Sequence, residues 1–518
     1  MNLVDVILNN VRRYPDKLVL ICGDIRLTYK NFNERCNRLA NSFEMLGVRK
    51  GEHIILLSKN CHIHFELFFA SAKAGVVFIP LNYRLSPREI IYIINDSDSK
   101  CLFFAKEYLS VVQSIKNDLK NVGTYVCIDD FLEGFNYYEE ILKKGDPKEP
   151  DTSFINEDDI VTIFYTSGTT GYPKGAMISH RNRISDMINQ VTDNEYIEPE
   201  DIHLNVGPLY HIGALSQSHG HIYRGCTVVI LKEFDPKTIF ELIEKERVNS
   251  FWAAPTMIKM LLDYPEKDKY NLKSIKTITY AGAPMPVELL RRAIEFFGKN
   301  KFIQFFGMTE TGPQITHLRR KDHVFEGTEK QLMRLRSVGI ECQNVHVRIV
   351  DDNDKDLSTG EVGEIIVKSE GVTKGYWKKP EETQKAIKNG WFHTGDMGYL
   401  DEDRYLYIVD RKKDMIITGG ENVYSAEVEN VLCMHPAISE AAVIGVPHEK
   451  WGETVKAIVI LKTGQKATEE EIIEFCKKNL ASYKKPTSVE FVNELPKTAS
   501  GKVLKRELRE RYGGIFKK

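Results

Sequence analysis

The strongest chemical signal in the sequence is YTSGTTGYPKG, from Tyr165 to Gly175. Thr166, Ser167, Thr169 and Thr170 offer hydroxyl donors, Gly168 and Gly171 let backbone amides come close to an anion, and Lys174 adds a positive charge. Such a set is suited to grasping a polyphosphate. It is not a Walker loop, which needs Lys directly after its second glycine; here Tyr172 and Pro173 intervene. The alternative, a flexible polar turn, requires fewer small donors than this run contains.

Six further stretches could do chemistry. FFGMTETG, Phe305 to Gly312, places two aromatics beside a glycine, then hydroxyls and a carboxylate; the plainer reading of Phe305 and Phe306 is core packing. AGAPM, Ala281 to Met285, is alone a weak signal, readable as a proline-containing turn between strand and helix. GWFHTGDMGYLDEDRYLYIVDRKKD, Gly390 to Asp414, contains Asp396 and a basic run, Arg411, Lys412 and Lys413, that otherwise reads as a solvated face. GGEN, Gly419 to Asn422, allows something narrow to pass close to the backbone, or is an ordinary turn. LPKTASGKVLKREL, Leu495 to Leu508, holds Lys502 in a small-residue loop; Lys497, Lys505 and Arg506 read as solvated. PLYHIGAL, Pro208 to Leu215, sets one imidazole, His211, in an apolar stretch, where a lone histidine is more often structural. His62 with His64, and His219 with His221 and Cys226, lack the spacing of structural zinc and are not read as a metal site.

The elements that must hold these residues alternate short β-rich runs with amphipathic stretches. After LTYK, Phe32, Cys36, Leu39, Phe43 and Leu46 recur at three- and four-residue steps and predict one helix face. IILLS at Ile54, a helix through Phe65 and Phe69, VVFIPL at Val76, the apolar run Ile90 to Ile94 and CLFFA at Cys101 continue a doubly wound α/β pattern. KKGDPKEPD, Lys143 to Asp151, reads as a surface joint between two subdomains. The polyphosphate loop is expected to join a strand to a helix starting near His180. VHVRIV and GEIIVK, between Val345 and Lys368, predict a hairpin. After Asp410 come a helix near Glu427 to Leu432, strands at Ala441 to Val446 and Val455 to Leu461, a helix from Glu469 to Leu480 and a strand at Val489 to Val492. The expected organisation is α/β: a large multi-subdomain N-terminal domain with doubly wound sheets, 1–410, and a small α+β C-terminal domain, 411–518.

With these motifs in this order, nearly the whole chain resembles the adenylate-forming (AMP-binding) superfamily of acyl-CoA synthetases, firefly-type luciferases and peptide-synthetase adenylation domains. The resemblance implies that Thr166, Ser167, Gly168, Thr169, Thr170, Gly171 and Lys174 hold the ATP phosphates, and that Gly282, Ala283 and Pro284 line adenine. It implies that Phe306, where the family often has Tyr, stacks on the purine beside Gly307, Met308 and Thr309. Glu310, with Thr166, would hold Mg²⁺, a cation that takes hard oxygen ligands and keeps waters and phosphate oxygens. Asp396 would accept both ribose hydroxyls, and Arg411 would also reach the nucleotide. Lys413 falls at the hinge of a mobile lid, Gly419 and Gly420 border a coenzyme A tunnel, Lys502 is the adenylation lysine, and His211 positions the carboxylate.

The implied enzyme is an acyl-CoA synthetase converting a hydrophobic carboxylic acid, ATP and CoA to acyl-CoA, AMP and pyrophosphate. Gly213, Ala214 and Leu215 are small or apolar, which favours an uncharged hydrophobic acyl or aryl group; a fatty acid is the first choice and an aryl acid of benzoate or coumarate type the alternative. A standalone carrier-protein-loading enzyme, a luciferase-like oxygenase and a non-catalytic nucleotide-binding regulator are the other readings. The 518 residues, at ~150 per domain, exclude a small binding module. The formal charge of −2 gives no electrostatic case for nucleic acid or anionic membrane. Nine cysteines without a CxxC pair, no signal-peptide pattern at the N-terminus and no stretch able to cross ~30 Å of hydrocarbon predict a cytoplasmic protein. A homodimer is left open.

Overall fold

A computed structural model describes residues 1–166, 172–193, 195, 197–497 and 503–512. The chain forms two compact units, Met1–Val347 with Val367–Phe392, and Arg348–Ile366 with His393–Lys518.

The first unit contains two large sheets. In the seven-stranded one, His53–Leu57 lies between Val77–Leu81 and Cys101–Phe104, all parallel, with the antiparallel pair Ile160–Thr166 and Lys174–Ser179 at one edge. Successive residues feed opposite cores: Ile54 and Leu56 pack with Phe65, Phe68 and Phe69 on one face, Ile55 and Leu57 with Ile90, Ile93 and Ile94 on the other. This two-sided burial explains why the strand reads as an unbroken apolar run and makes the sheet doubly wound. Each such side chain contributes about 1.5–3 kcal/mol relative to exposure. The run Ile90 to Ile94 lies in a helix, Pro87–Asp96, started by Ser86 and Glu89 in a capping box.

The nine-stranded sheet has a parallel centre, with Ile202–Asn205, Ser250–Ala253, Thr277–Tyr280 and Phe302–Met308 as consecutive neighbours. Their carboxyl ends share one edge, where open α/β sheets bind ligands.

In the second unit, Trp391–Leu400 pairs antiparallel with Leu406–Arg411. A second sheet carries Ile438–His448 against Gly452–Leu461. Val443 packs with Val428 and Leu432 of the helix Ser425–Met434, whereas Ala442 and Ile444 pack with Leu495 and Leu508 on the opposite face.

Three expectations differ from the structure. The compact units do not divide at 410/411, because Asp396 pairs with Arg411 and Leu400 with Leu406, so one ladder holds residues on both sides of that point. KKGDPKEPD is not a joint between sheets: it connects strands of the same seven-stranded sheet, and Asn37 of the helix Tyr29–Ala40 and Asn41, which caps its C-terminus, donate to the carbonyls of Pro147, Asp146 and Lys148. That helix ends at Ala40, short of Phe43 and Leu46, where Ser42 donates through its Oγ to the Arg38 carbonyl and its amide bonds back only three residues; both apolar residues are buried nonetheless.

Candidate active site

The residues flanking the hydroxyl-rich loop form a hairpin. Ile160–Thr166 runs antiparallel to Lys174–Ser179, with Thr166 opposite Lys174, and the helix His180–Asp193 follows. A strand therefore stands between loop and helix, where direct entry into the helix was expected. Ser167, Gly168, Thr169, Thr170 and Gly171 lie outside the described residues.

Glu310 sits in the short turn Thr309–Thr311 between Phe302–Met308 and Gly312–Leu318, and is 8% exposed. Its Oε1 accepts from Thr166 Oγ1 at 3.1 Å and from the Tyr376 hydroxyl at 3.1 Å. A buried carboxylate needs such donors to offset lost hydration. Burial, and then the charge of Glu310, push the Tyr376 phenol well above its ordinary value, so it stays a donor. The Lys174 ammonium lies 5.3 Å from the centre of the Tyr376 ring and is ion-paired with Glu382. Tyr376 is held by the backbone: it bridges to Ala176, and the Trp377 amide donates to the Gly175 carbonyl at 2.8 Å. Thr166, Lys174 and Glu310 are thus brought together around two residues that the sequence reading missed. Their faint signal is GYWKKPEE, an aromatic pair after a glycine followed by acids opening the helix Pro380–Ala386.

The other expected residues of this unit occupy the carboxyl edge of the nine-stranded sheet. Gly282, Ala283 and Pro284 form an exposed turn between Thr277–Tyr280 and Val287–Phe297. Phe305 is buried, whereas Phe306 is half-buried, which divides the pair into a core residue and one with an open face. Gly307 leaves no room for a side chain: a Cβ would fall 2.5 Å from the Pro313 carbonyl carbon. Met308 and Thr309 lead into the Glu310 turn. His211 caps the helix Ile212–Arg224 in extended conformation, half-buried, its amide bonded to the Pro208 carbonyl at 3.0 Å.

The remaining expected residues belong to the second unit. Asp396 is 5% exposed and accepts from Arg411 Nε at 2.9 Å across the ladder. Lys412, read as solvated, is paired with Asp352 at 2.8 Å and Glu364 at 3.1 Å, because the Gly395 carbonyl fixes its backbone beside those strands. Gly419 and Gly420, at φ +60° and +87°, are the central residues of the two-residue hairpin joining Ile416–Thr418 to Glu421–Val423. Two successive positive φ values are what this tight turn requires, so the turn alone accounts for both glycines. Lys505, also expected to be solvated, is half-covered: it donates to Glu429 at 2.7 Å and to Ser425 Oγ at 2.6 Å, and Ser425 donates to Asp410 at 2.7 Å. Lys502 lies outside the described residues. Among the described residues no helix is long and apolar enough to cross a membrane, and all nine cysteines are free thiols.

At the sheet edges a threonine hydroxyl, a buried carboxylate and a lysine ammonium are gathered, groups suited to handling a polyphosphate. The comparisons agree: residues 7–377 match the AMP-binding enzyme family and residues 427–502 the AMP-binding enzyme C-terminal domain. A feruloyl-CoA synthase of Amycolatopsis sp is 36% identical over 97% of both chains. The long-chain-fatty-acid–CoA ligase FadD13 of Mycobacterium tuberculosis is 35% identical over 96% of this chain and 95% of its own. The o-succinylbenzoate CoA synthetase (MenE) of Bacillus subtilis, solved with the acyl-adenylate OSB-AMP, superimposes with a TM-score of 0.85 at 29% identity, covering 99% of each chain. This chain belongs to the AMP-binding enzyme family. It is an AMP-forming acid–thiol ligase.

Proposed function

We propose that the enzyme is an acyl-CoA synthetase for a carboxylic acid whose acyl group is uncharged and hydrophobic, with fatty acids as the first class. The carboxylate oxygen bonds to the α-phosphorus of ATP as the bond to the pyrophosphate oxygen breaks. The thiol of CoA then bonds to the acyl carbon, the carbon–oxygen bond to AMP breaks, and the thiol proton leaves to solvent. Activation is needed because a delocalised carboxylate resists nucleophiles, whereas the mixed anhydride carries a good leaving group. The observation that carries this reading is the convergence of Thr166 and Tyr376 on Glu310, with Lys174 over the same ring.

In this reading Lys174 and the loop hydroxyls hold the β- and γ-phosphates, and Lys502 bridges the attacking carboxylate and the α-phosphate as charge builds. Phe306 offers its open face to adenine beside Gly282 and Ala283. Asp396, with one oxygen engaged by Arg411, takes the ribose hydroxyls through its remaining acceptor sites. His211 orients the acid and is not needed as a base, because the acid is already ionised at pH 7. The donor set of Thr166 and Glu310, two hard oxygen ligands 3.1 Å apart, fits Mg²⁺. Bound there, the ion would neutralise phosphate charge. Lys413 is the hinge about which the residues that follow it turn between half-reactions, presenting first Lys502 and then Gly419 and Gly420, beside which CoA passes. Nine free thiols support the cytoplasm as the compartment.

The name of the feruloyl-CoA synthase relative favours aryl acids as the second reading. Pyrophosphate release measured over saturated and aryl acids, with and without CoA, decides the matter. Turnover with an alkanoic acid that requires CoA supports the first reading. Turnover only with aryl acids supports the second, and turnover only with a carrier protein overturns both.

A further inference from the structure

Trp252 stands at the carboxyl end of Ser250–Ala253, the strand between Ile202–Asn205 and Thr277–Tyr280, in register with Thr279. Ser250, Phe251 and Ala253 are buried, but Trp252 is only partly so. Its six-membered ring is approached by three glycines, two from the 207–214 segment and one from the turn after Thr277–Tyr280. A Cβ at Gly207 would fall 2.8 Å from Cζ3, one at Gly213 would fall 3.7 Å from Cζ2, and one at Gly282 would fall 4.0 Å from Cζ2. Gly207 follows the neighbouring strand, Gly213 lies in the first turn of the helix that His211 caps, and Gly282 opens the turn read as the adenine wall. The wall is firm on the Gly207 side: that carbonyl accepts from Asn60 at 2.8 Å and Asn205 at 2.9 Å, and Asn60 also accepts from the Leu209 amide at 2.8 Å.

We propose that Trp252 is a specificity-determining residue: its indole fills the depth of the acyl crevice between the 207–214 segment and the Gly282 turn, so the acid's tail ends against this ring. This rests on the acyl-CoA synthetase reading and narrows it to acids of short to medium chain or a single ring. The indole occupies volume at the ligand-binding edge of the sheet, between the residue assigned to the carboxylate and the turn assigned to adenine. Because glycines face the ring and the Gly207 carbonyl is anchored by two amides, the size of this one residue sets the depth. A large-to-small change here opens a cavity that apolar groups of a ligand can fill.

The test uses the full chain with ATP, Mg²⁺ and CoA, over saturated acids from C4 to C16 and over benzoate and cinnamate-type acids. Wild type is expected to lose kcat/KM steeply beyond medium length. Trp252→Ala should gain about tenfold or more on longer acids, mostly through KM, with Trp252→Phe intermediate. Gly213→Ala, whose methyl would make ordinary contact with the ring, should tighten the length limit. Direct binding of the same acids by calorimetry gives a readout independent of turnover. If no acid releases pyrophosphate, the functional reading falls, yet tighter binding of long acids by Trp252→Ala still upholds the assignment. An unchanged length profile in a folded Trp252→Ala, in turnover and binding alike, overturns it, as does a wild type that already prefers C16.

Discussion

Glu310 receives two hydroxyls while Lys174 is held over the ring that supplies one of them, so the charges of this site are arranged before any nucleotide arrives. In the proposed reading a polyphosphate competes with Glu382 for the ammonium. Lys174→Ala should lower kcat/KM for ATP by about 10²-fold, the scale of one lost transition-state contact, as measured by pyrophosphate release. An unchanged ATP profile would reduce the loop to a turn. Lys502→Ala should abolish pyrophosphate release yet still convert a presynthesised acyl-adenylate and CoA to thioester. Equal loss in both half-reactions would remove Lys502 from its assigned role.

At the scale of elements, Lys505 ties the last helix to Ser425–Met434 through Glu429 and Ser425. Burial pushes the Glu429 carboxyl up and the nearby Lys505 ammonium opposes that shift, so the acid depends on its partner. Lys505→Met should therefore lower the stability of the second unit by about 1–3 kcal/mol, and adding Glu429→Gln should restore part of it. Calorimetric melting of the two variants measures both effects; additive losses would show that the pair is uncoupled.

At the scale of the whole molecule, alternation predicts that Lys413→Pro leaves adenylation largely intact and slows thioester formation strongly, because proline restricts φ and removes an amide donor. Both half-reactions unaffected in the folded variant would refute the hinge. A second consequence concerns acid. Burial pushes His64 down to about 3, and His180, His221 and His323 down to about 4, from an ordinary 6.5. Native chains keep these rings neutral where unfolded chains protonate them, so stability present above pH 6.5 is lost as pH falls toward 4. Each contributes a slope of about 1.4 kcal/mol per pH unit. Urea midpoints between pH 7 and 4 should fall, and His323→Gln should flatten that fall; a pH-independent midpoint would count against neutral burial.

By itself the sequence determined which local segments pack and marked those whose residue types suit binding. Hydroxyls, glycines and a lysine within Tyr165–Gly175, the unbroken apolar run of His53–Leu57 and the apolar period of Glu469–Asn479 are short-range patterns, legible without coordinates. The strand between the loop and its helix was missed because KGAMIS lacks a clear period of two, its pairing being imposed by Ile160–Thr166. Tyr376 and Glu382 stand more than two hundred residues from Lys174, and neither type at its own position announces a partner. Lys505 and Lys412 looked solvated because charge runs usually are; only the packing of helix on helix and strand on strand supplied their carboxylates. The tertiary structure alone decided which side chains meet, because those contacts are closed by long chain excursions whose ends are set by sheet order, and sheet order is a property of the whole core.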